Sequence, residues 1–140
     1  MIKHCVGAVI YSSEGKIFLM TSPKWKGYIV PGGKLEENET EEQALIREIK
    51  EELGIEITNI KKVGEKVKPP SKDFKDETIT IHFIDFFAKA TSTEIKPNHE
   101  VLEYGWFEID DALLLPLLDT TRNFVEQFKK YVNSGLIRFD

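Results

Sequence analysis

The chain has 140 residues, 41% hydrophobic and 31% charged, which suits one soluble globular domain over residues 1–140 and argues against disorder. Its net charge of −5 argues against a nucleic-acid polymer as partner, but not against a small phosphorylated ligand, because a divalent cation reverses the field locally. No apolar run approaches the roughly 18 residues of a membrane span, the opening "MIKHCVGAVIYSSEGK" lacks a signal-peptide layout, and a lone cysteine closes no internal disulfide, so a cytoplasmic location is expected.

In chain order, "CVGAVIYS" (5–12) is apolar and β-branched, "SEGK" supplies a turn, and "IFLMTS" (17–22) follows. That is strand, turn, strand, with Cys5 expected as a small core residue. "YIV" (28–30) predicts a short third strand stopped by "PGG", and residues 40–53 carry helical periodicity. "IEITNIKKVGEKV" (55–67) predicts a strand bent near Gly64, and "KPPSKDFKDE" (68–77) a polar loop. "TITIHFIDFFAKA" (78–90) predicts a central strand with His82 as a satisfied core residue; a loop (91–100) precedes a strand in "YGWFEI" (104–109). "DDALLLPLLD" opens with an N-cap acid and predicts a short helix. "TTRNFVEQFKKYVNSG" predicts an amphipathic helix with Phe124, Phe128 and Tyr131 on one side, ended by Gly135. A sheet with helices on its faces accounts for this order.

The segment 32–55, "GGKLEENETEEQALIREIKEELGI", is the most informative. Thr40 and Gln43 form a capping box, and Gly54 stands where a left-handed C-cap is needed. At about 100° per residue, Glu48, Glu51 and Glu52 share one arc. Leu45, Ile46, Ile49 and Leu53 form the apolar stripe beside it, and Ala44 leaves room one turn before Glu48. Three carboxylates so close repel one another unless a cation sits among them. Oxygen donors with room for water are what Mg²⁺ or Mn²⁺ prefer. The glycines of "PGGK" permit close approach of the backbone to a ligand.

These residues resemble the Nudix box: G, five residues, E, seven residues, then R-E-aliphatic-x-E-E-x-G-aliphatic. Gly33, Glu39, Arg47, Glu48, Ile49, Glu51, Glu52, Gly54 and Ile55 fill all of its constrained positions. The resemblance implies an α/β/α sandwich with a mixed β-sheet, the box forming a loop-helix-loop. It implies a Mg²⁺- or Mn²⁺-dependent hydrolase that cleaves the pyrophosphate of a nucleoside diphosphate linked to another group. Glu48 and Glu52 would be central metal ligands, Glu51 a further ligand or a group behind them, and the Gly33 carbonyl another ligand. Glu39 and Arg47 would hold loop and helix together.

Members that clean the nucleotide pool place a further glutamate six residues before a strand tryptophan. Glu100 stands six before Trp106 and is favoured as metal ligand or general base. Glu103, three before it, competes, and Glu51 and Glu52 stay eligible as base. His99 is expected as an exposed loop histidine. Trp25, Tyr28 and Lys34 are assigned to substrate binding, Trp25 and Tyr28 as candidates to stack on a base. The substrate readings rank a plain or modified nucleoside triphosphate first, and ADP-ribose, for which Pro70 matches a family position, or another nucleotide sugar second. Dinucleoside polyphosphates come third. A non-catalytic nucleotide sensor is the alternative from another class. Monomer and homodimer are both open.

Overall fold

The computed structural model describes residues 1–139. Its elements are β1 (Ile2–Tyr11), β2 (Ile17–Met20), β3 (Gly32–Lys34), α1 (Glu41–Leu53), β4 (Ile57–Lys68), β5 (Thr80–Ala90), β6 (Tyr104–Phe107), α2 (Ile109–Ala112) and α3 (Asp119–Asn133). The strands form one mixed sheet in the order β4-β5-β1-β2-β6, with β3 added against β1. β1 runs parallel to β5; every other pairing is antiparallel. No helix among the described residues is long and apolar enough to cross a membrane.

Alternation along the strands sorts the core into two layers. Val6, Ala8, Ile10, Phe18, Met20, Ile84 and Phe86 face α1 through Ala44, Leu45, Ile49 and Leu53. Val9, Tyr11, Ile17, Leu19 and Phe87 face α3 through Phe124, Val125 and Phe128. The expected sandwich is therefore present, with one long helix on each face. Phe128 is fully buried between Tyr11 and Phe87. Phe128→Ala is expected to cost about 3–5 kcal/mol, the usual penalty for an emptied aromatic site, read from the midpoint of urea unfolding.

The cap expectations for α1 hold. Thr40 and Gln43 bond reciprocally, and Gly54 closes the helix at φ 70°. The bend in β4 is also present, as register shifts on both sides of Lys61–Lys62 against β5.

Five local expectations need correction. "YIV" is not a strand. Ile29 pairs with Met20 while Tyr28 turns to Pro116 and Leu118, so its backbone bonds go to two sides and no ladder forms. The strand falls instead on Gly32–Lys34, opposite Cys5–Gly7. Within α1, Ala44 is fully buried and Ile46 is 36% exposed; the covered arc runs through Glu48 and Glu52 and leaves Glu51 and Ile46 outside. The helix after β6 is only four residues long. It is capped by Glu108 without a side-chain bond, not by an aspartate. His82 is half-buried rather than core: Nε2 meets Glu65 Oε1 at 2.7 Å and Nδ1 meets His4 Nδ1 at 2.8 Å. Cys5 is likewise only half-buried, and lines a cleft. Burial raises its thiol pKa, which keeps it protonated and unreactive.

Candidate active site

β3 and α1 build one wall of that cleft. Glu52 is buried to 7% exposure, and its Oε1 accepts a 2.9 Å bond from the Gly32 N–H. Glu48 lies against Gly33 so closely that a Cβ there would sit 2.3 Å from its carboxylate. Only glycine allows that approach. Glu51, one position before Glu52, points outward with its side chain 56% exposed.

Arg47 organises the loop ahead of the helix. Its Nε and Nη2 donate to the two oxygens of Glu39 at 2.6 and 2.9 Å, Nη2 also donates to the Lys34 carbonyl at 3.0 Å, and Nη1 donates to Glu48 at 2.8 Å. A more distant 3.5 Å contact reaches Glu51. Glu39 in turn accepts from the Glu36 N–H. The bidentate geometry fixes loop to helix, and the guanidinium bonds hold Glu39 down to about 2.

Glu52, which lines the cleft, and Glu48, which lies behind Gly33, behave in the opposite way. Burial raises Glu52 to about 8, against the pull of the Gly32 bond, and the like charges of Glu48 and Glu100 push it further up. Burial also raises Glu48, although Arg47 works against it. The wall is an acid cluster short of positive charge.

The loop after β5 delivers Glu100 to the same place. Lys96 and Asn98 donate backbone N–H bonds to the Leu53 and Glu52 carbonyls at the end of α1. Asn98 Oδ1 then accepts from the Glu100 N–H at 2.8 Å, and Lys24 approaches the Glu100 carboxylate at 3.5 Å. Trp106 anchors the loop from behind through its Nε1 bond to the Thr93 carbonyl. Glu100 lines the cleft; Glu103 is exposed, is tied to Thr21 through its backbone and does not line it. His99 is exposed, as expected.

The rest of the cleft, with a cavity of about 150 Å³, runs from Gly32, Gly33, Glu52 and Glu100 to an aromatic end. There Trp25 meets Phe74 edge-on at 4.5 Å between ring centres and Phe83 at 6.0 Å. The loops carrying Trp25 and Phe74 are zipped together by backbone bonds from Lys26 to Asp73 and from Lys75 to Lys24. Lys34 also borders the cleft. Tyr28 does not join these residues. It packs into the α3-side core, edge-on to Phe107, because its backbone is drawn to Pro116. Pro70 is exposed and outside the cleft.

Sequence reasoning assigned no site role to several charged and aromatic lining residues, among them Lys24, Lys66, Phe74, Phe83 and Asp85. The signal was available for Asp85, an acid inside the apolar run of β5.

Among the described residues, no three Asp, Glu, His or Cys side chains close on one point. The donor set nevertheless suits a hard cation that keeps part of its water. Mg²⁺ binds through one or two carboxylates plus substrate phosphates rather than an all-protein cage, and every acid on this wall offers oxygen.

The NUDIX domain family model matches residues 1–128. The chain belongs to the Nudix family. Among curated Nudix-type relatives, it is 33% identical over 130 residues to the CTP pyrophosphohydrolase of Escherichia coli K12, covering 88% of this chain and 89% of that one. It is 37% identical over 87 residues to the 8-oxo-dGTP diphosphatase of Proteus vulgaris, covering 57% and 71%. The crystal structure of a MutT Nudix hydrolase from Burkholderia pseudomallei superposes with a TM-score of 0.77 at 28% identity, over 91% of this chain and 98% of that one. The fold and the enzyme class are those of a Nudix hydrolase.

Proposed function

We propose that this Nudix hydrolase is a single domain that cleaves a pyrophosphate bond of a nucleoside triphosphate, plain or modified, with Mg²⁺ or Mn²⁺ as cofactor. The observation that carries this reading is one continuous cleft with Glu52 and Glu100 at one end, Glu48 just behind Gly33, and the aromatic rings of Trp25, Phe74 and Phe83 at the other. The named relatives act on CTP and 8-oxo-dGTP, which favours triphosphates over ADP-ribose or another nucleotide sugar.

Glu48 and Glu52 would hold the metal, with Glu51, Glu100 and the Gly33 carbonyl assisting. When bound, the cation neutralises phosphate charge and lowers the pKa of a water. Glu100 takes the general-base role, because it stands in the cleft on a loop tied to the end of α1; Glu51 and Glu52 are the other carboxylates eligible for it. Lys24 beside Glu100, and Lys34, draw the phosphate chain in. Trp25, with Phe74 packed edge-on against it, offers the aromatic surface for the base. Glu39 and Arg47 keep the Gly33 loop against α1. The acidic surface suits a small nucleotide better than a polymer.

Product release from CTP, dGTP, 8-oxo-dGTP, ADP-ribose and diadenosine tetraphosphate, with Mg²⁺ and with EDTA, tests this. Metal-dependent release of monophosphate and pyrophosphate from a triphosphate is expected. Nucleotide binding without any metal-dependent product would replace the enzyme by a sensor. AMP and ribose 5-phosphate as the dominant products would move the substrate to ADP-ribose.

A further inference from the structure

A charge pair in the floor of the cleft, its carboxylate buried and its ammonium partly exposed, has no part in the metal and phosphate chemistry. Asp85 is 7% exposed and its Oδ2 accepts from Lys66 Nζ at 2.9 Å. The Lys66 ammonium stands over two aromatic rings, Phe124 at 4.8 Å and Phe83 at 5.6 Å. Both residues line the same cleft as Glu52 and Glu100.

Their placement in the sheet is unusual for a core. Ile81, Phe83, Asp85 and Phe87 alternate onto one face of β5. Ile81 and Phe83 belong to the small cluster around Phe74, and Phe87 lies under α3. A carboxylate in such a row is costly to desolvate. Its strand neighbours in register are Gly7 on β1 and Gly64 on β4, so no side chain from either covers it. Space does not force the choice: an added Cβ at Gly64 would meet nothing within 4 Å, and one at Gly7 only ordinary contacts at 3.4 Å. The bond to Lys66 occupies one Asp85 oxygen and one ammonium hydrogen. An acceptor and a donor thus stand side by side in the cleft that Trp25, Phe74 and Phe83 line.

Resting on the nucleotide-hydrolysis reading, we propose that the Asp85–Lys66 pair reads the hydrogen-bonding edge of the base. Asp85 accepts from an N–H or NH₂ group, and Lys66 donates to the adjacent ring nitrogen or carbonyl oxygen. The ligand chemistry is therefore a nucleobase whose edge presents a donor next to an acceptor. A base with acceptors alone leaves Asp85 facing a lone pair. Burial raises the Asp85 pKa while Lys66 lowers it, in keeping with a carboxylate whose ionic state depends on the ammonium beside it.

The competing role is a strap between β4 and β5, and two variants separate the two. Lys66→Met with Asp85→Leu replaces the pair by apolar side chains of similar volume, a change that buried ion pairs often tolerate or gain from in stability. Asp85→Asn keeps the shape and adds a donor. For wild type and both variants, kcat and KM are measured with the four ribonucleoside triphosphates and with purine riboside triphosphate, whose base offers ring acceptors but no donors. Folding is checked by urea unfolding.

In the wild type, kcat/KM for the best natural nucleotide is expected to exceed that for purine riboside triphosphate by about 10- to 100-fold, the scale of one well-made base contact. In the double variant this ratio collapses toward one, with the loss carried by KM. In Asp85→Asn the ranking of the natural bases changes. A preserved ratio and ranking in the folded variants overturns the proposal and leaves the pair as a strap. An equal loss for purine riboside triphosphate overturns it too, and makes Lys66 a phosphate contact. A wild type that hydrolyses none of the nucleotides defeats the functional reading itself, which the wild-type rates alone reveal.

Discussion

Glu52→Gln is expected to lower turnover by roughly 10³-fold, the scale of losing one well-placed charge-stabilising group, while raising the stability of the metal-free protein. The two effects have one cause. Glu52 is buried, and its only hydrogen-bond donor among the described residues is the Gly32 N–H, which a glutamine carbonyl can also satisfy. In the metal-free fold its pKa is raised from 4.5 to about 8. Between those values the native state holds a proton that the unfolded chain has released, so stability falls as pH rises through this window. Below it both states are protonated, and above it neither is. The accumulated loss is on the order of a few kcal/mol, and glutamine has no such titration. Thermal melts in EDTA from pH 5 to pH 8.5 should show the wild type declining relative to Glu52→Gln, with the variant the more stable at the alkaline end. A variant that is less stable at pH 8, or that keeps near-normal turnover with Mg²⁺, would sink the metal-ligand role.

Gly33→Ala is expected to be folded and nearly inactive, and Gly32→Ala to be poorly folded. An alanine Cβ at 33 would meet the Glu48 carboxylate at 2.3 Å, but that is the far end of a flexible side chain and can move. The fold survives, and the carboxylate is displaced by an ångström or more. Misplacement on that scale costs about 10²-fold in rate. One residue earlier, a Cβ would meet the Val6 carbonyl at 2.0 Å and the Gly7 Cα at 2.7 Å. Both are backbone, and β3 would have to leave β1. Gly64→Ala serves as the control, since nothing lies within 4 Å of the added carbon. Unfolding midpoints and steady-state rates for the three variants make the test. A Gly33→Ala protein with wild-type kcat would separate Glu48 from the chemistry.

Local signals in the sequence were enough for α1. Its capping box, its left-handed terminus and the box residues depend on neighbours within a few positions, so the helix and its two caps are legible in the sequence. The longer strands were legible as apolar, β-branched or alternating runs, but the three residues of β3 were not, since Gly32–Lys34 pair with β1 without any apolar pattern of their own. What escaped depended on distant partners. The extent to which the sheet covers α1 decides that Ala44 is buried and Ile46 is not. Tyr28 is drawn off the cleft by Pro116, far along the chain. Trp25 reaches the cleft because Phe74, in a loop that reads only as polar, comes up to meet it. Asp85 was visible as a misfit in an apolar run, but its partner Lys66 lies on the neighbouring strand, beyond a register shift.

The way the loop after β5 is held has a bearing on how such a chain can change length. Residues 96 and 98 are pinned to the final carbonyls of α1, and Glu100 hangs from Asn98. Residues 91–94, upstream of those pins, are exposed. Extra residues there would add the slowly growing closure entropy of a longer loop. Of the bonds to other segments they would disturb at most those of Thr91 to Glu56 and of Trp106 to the Thr93 carbonyl, and the Glu100 carboxylate would stay where it is. Added residues between 98 and 100 would instead unhook it. Two adjacent stretches of one surface loop thus differ sharply in their tolerance of insertion: the first is free to acquire new contacts for a partner or a larger substrate, and the second is fixed in length by the helix it leans on.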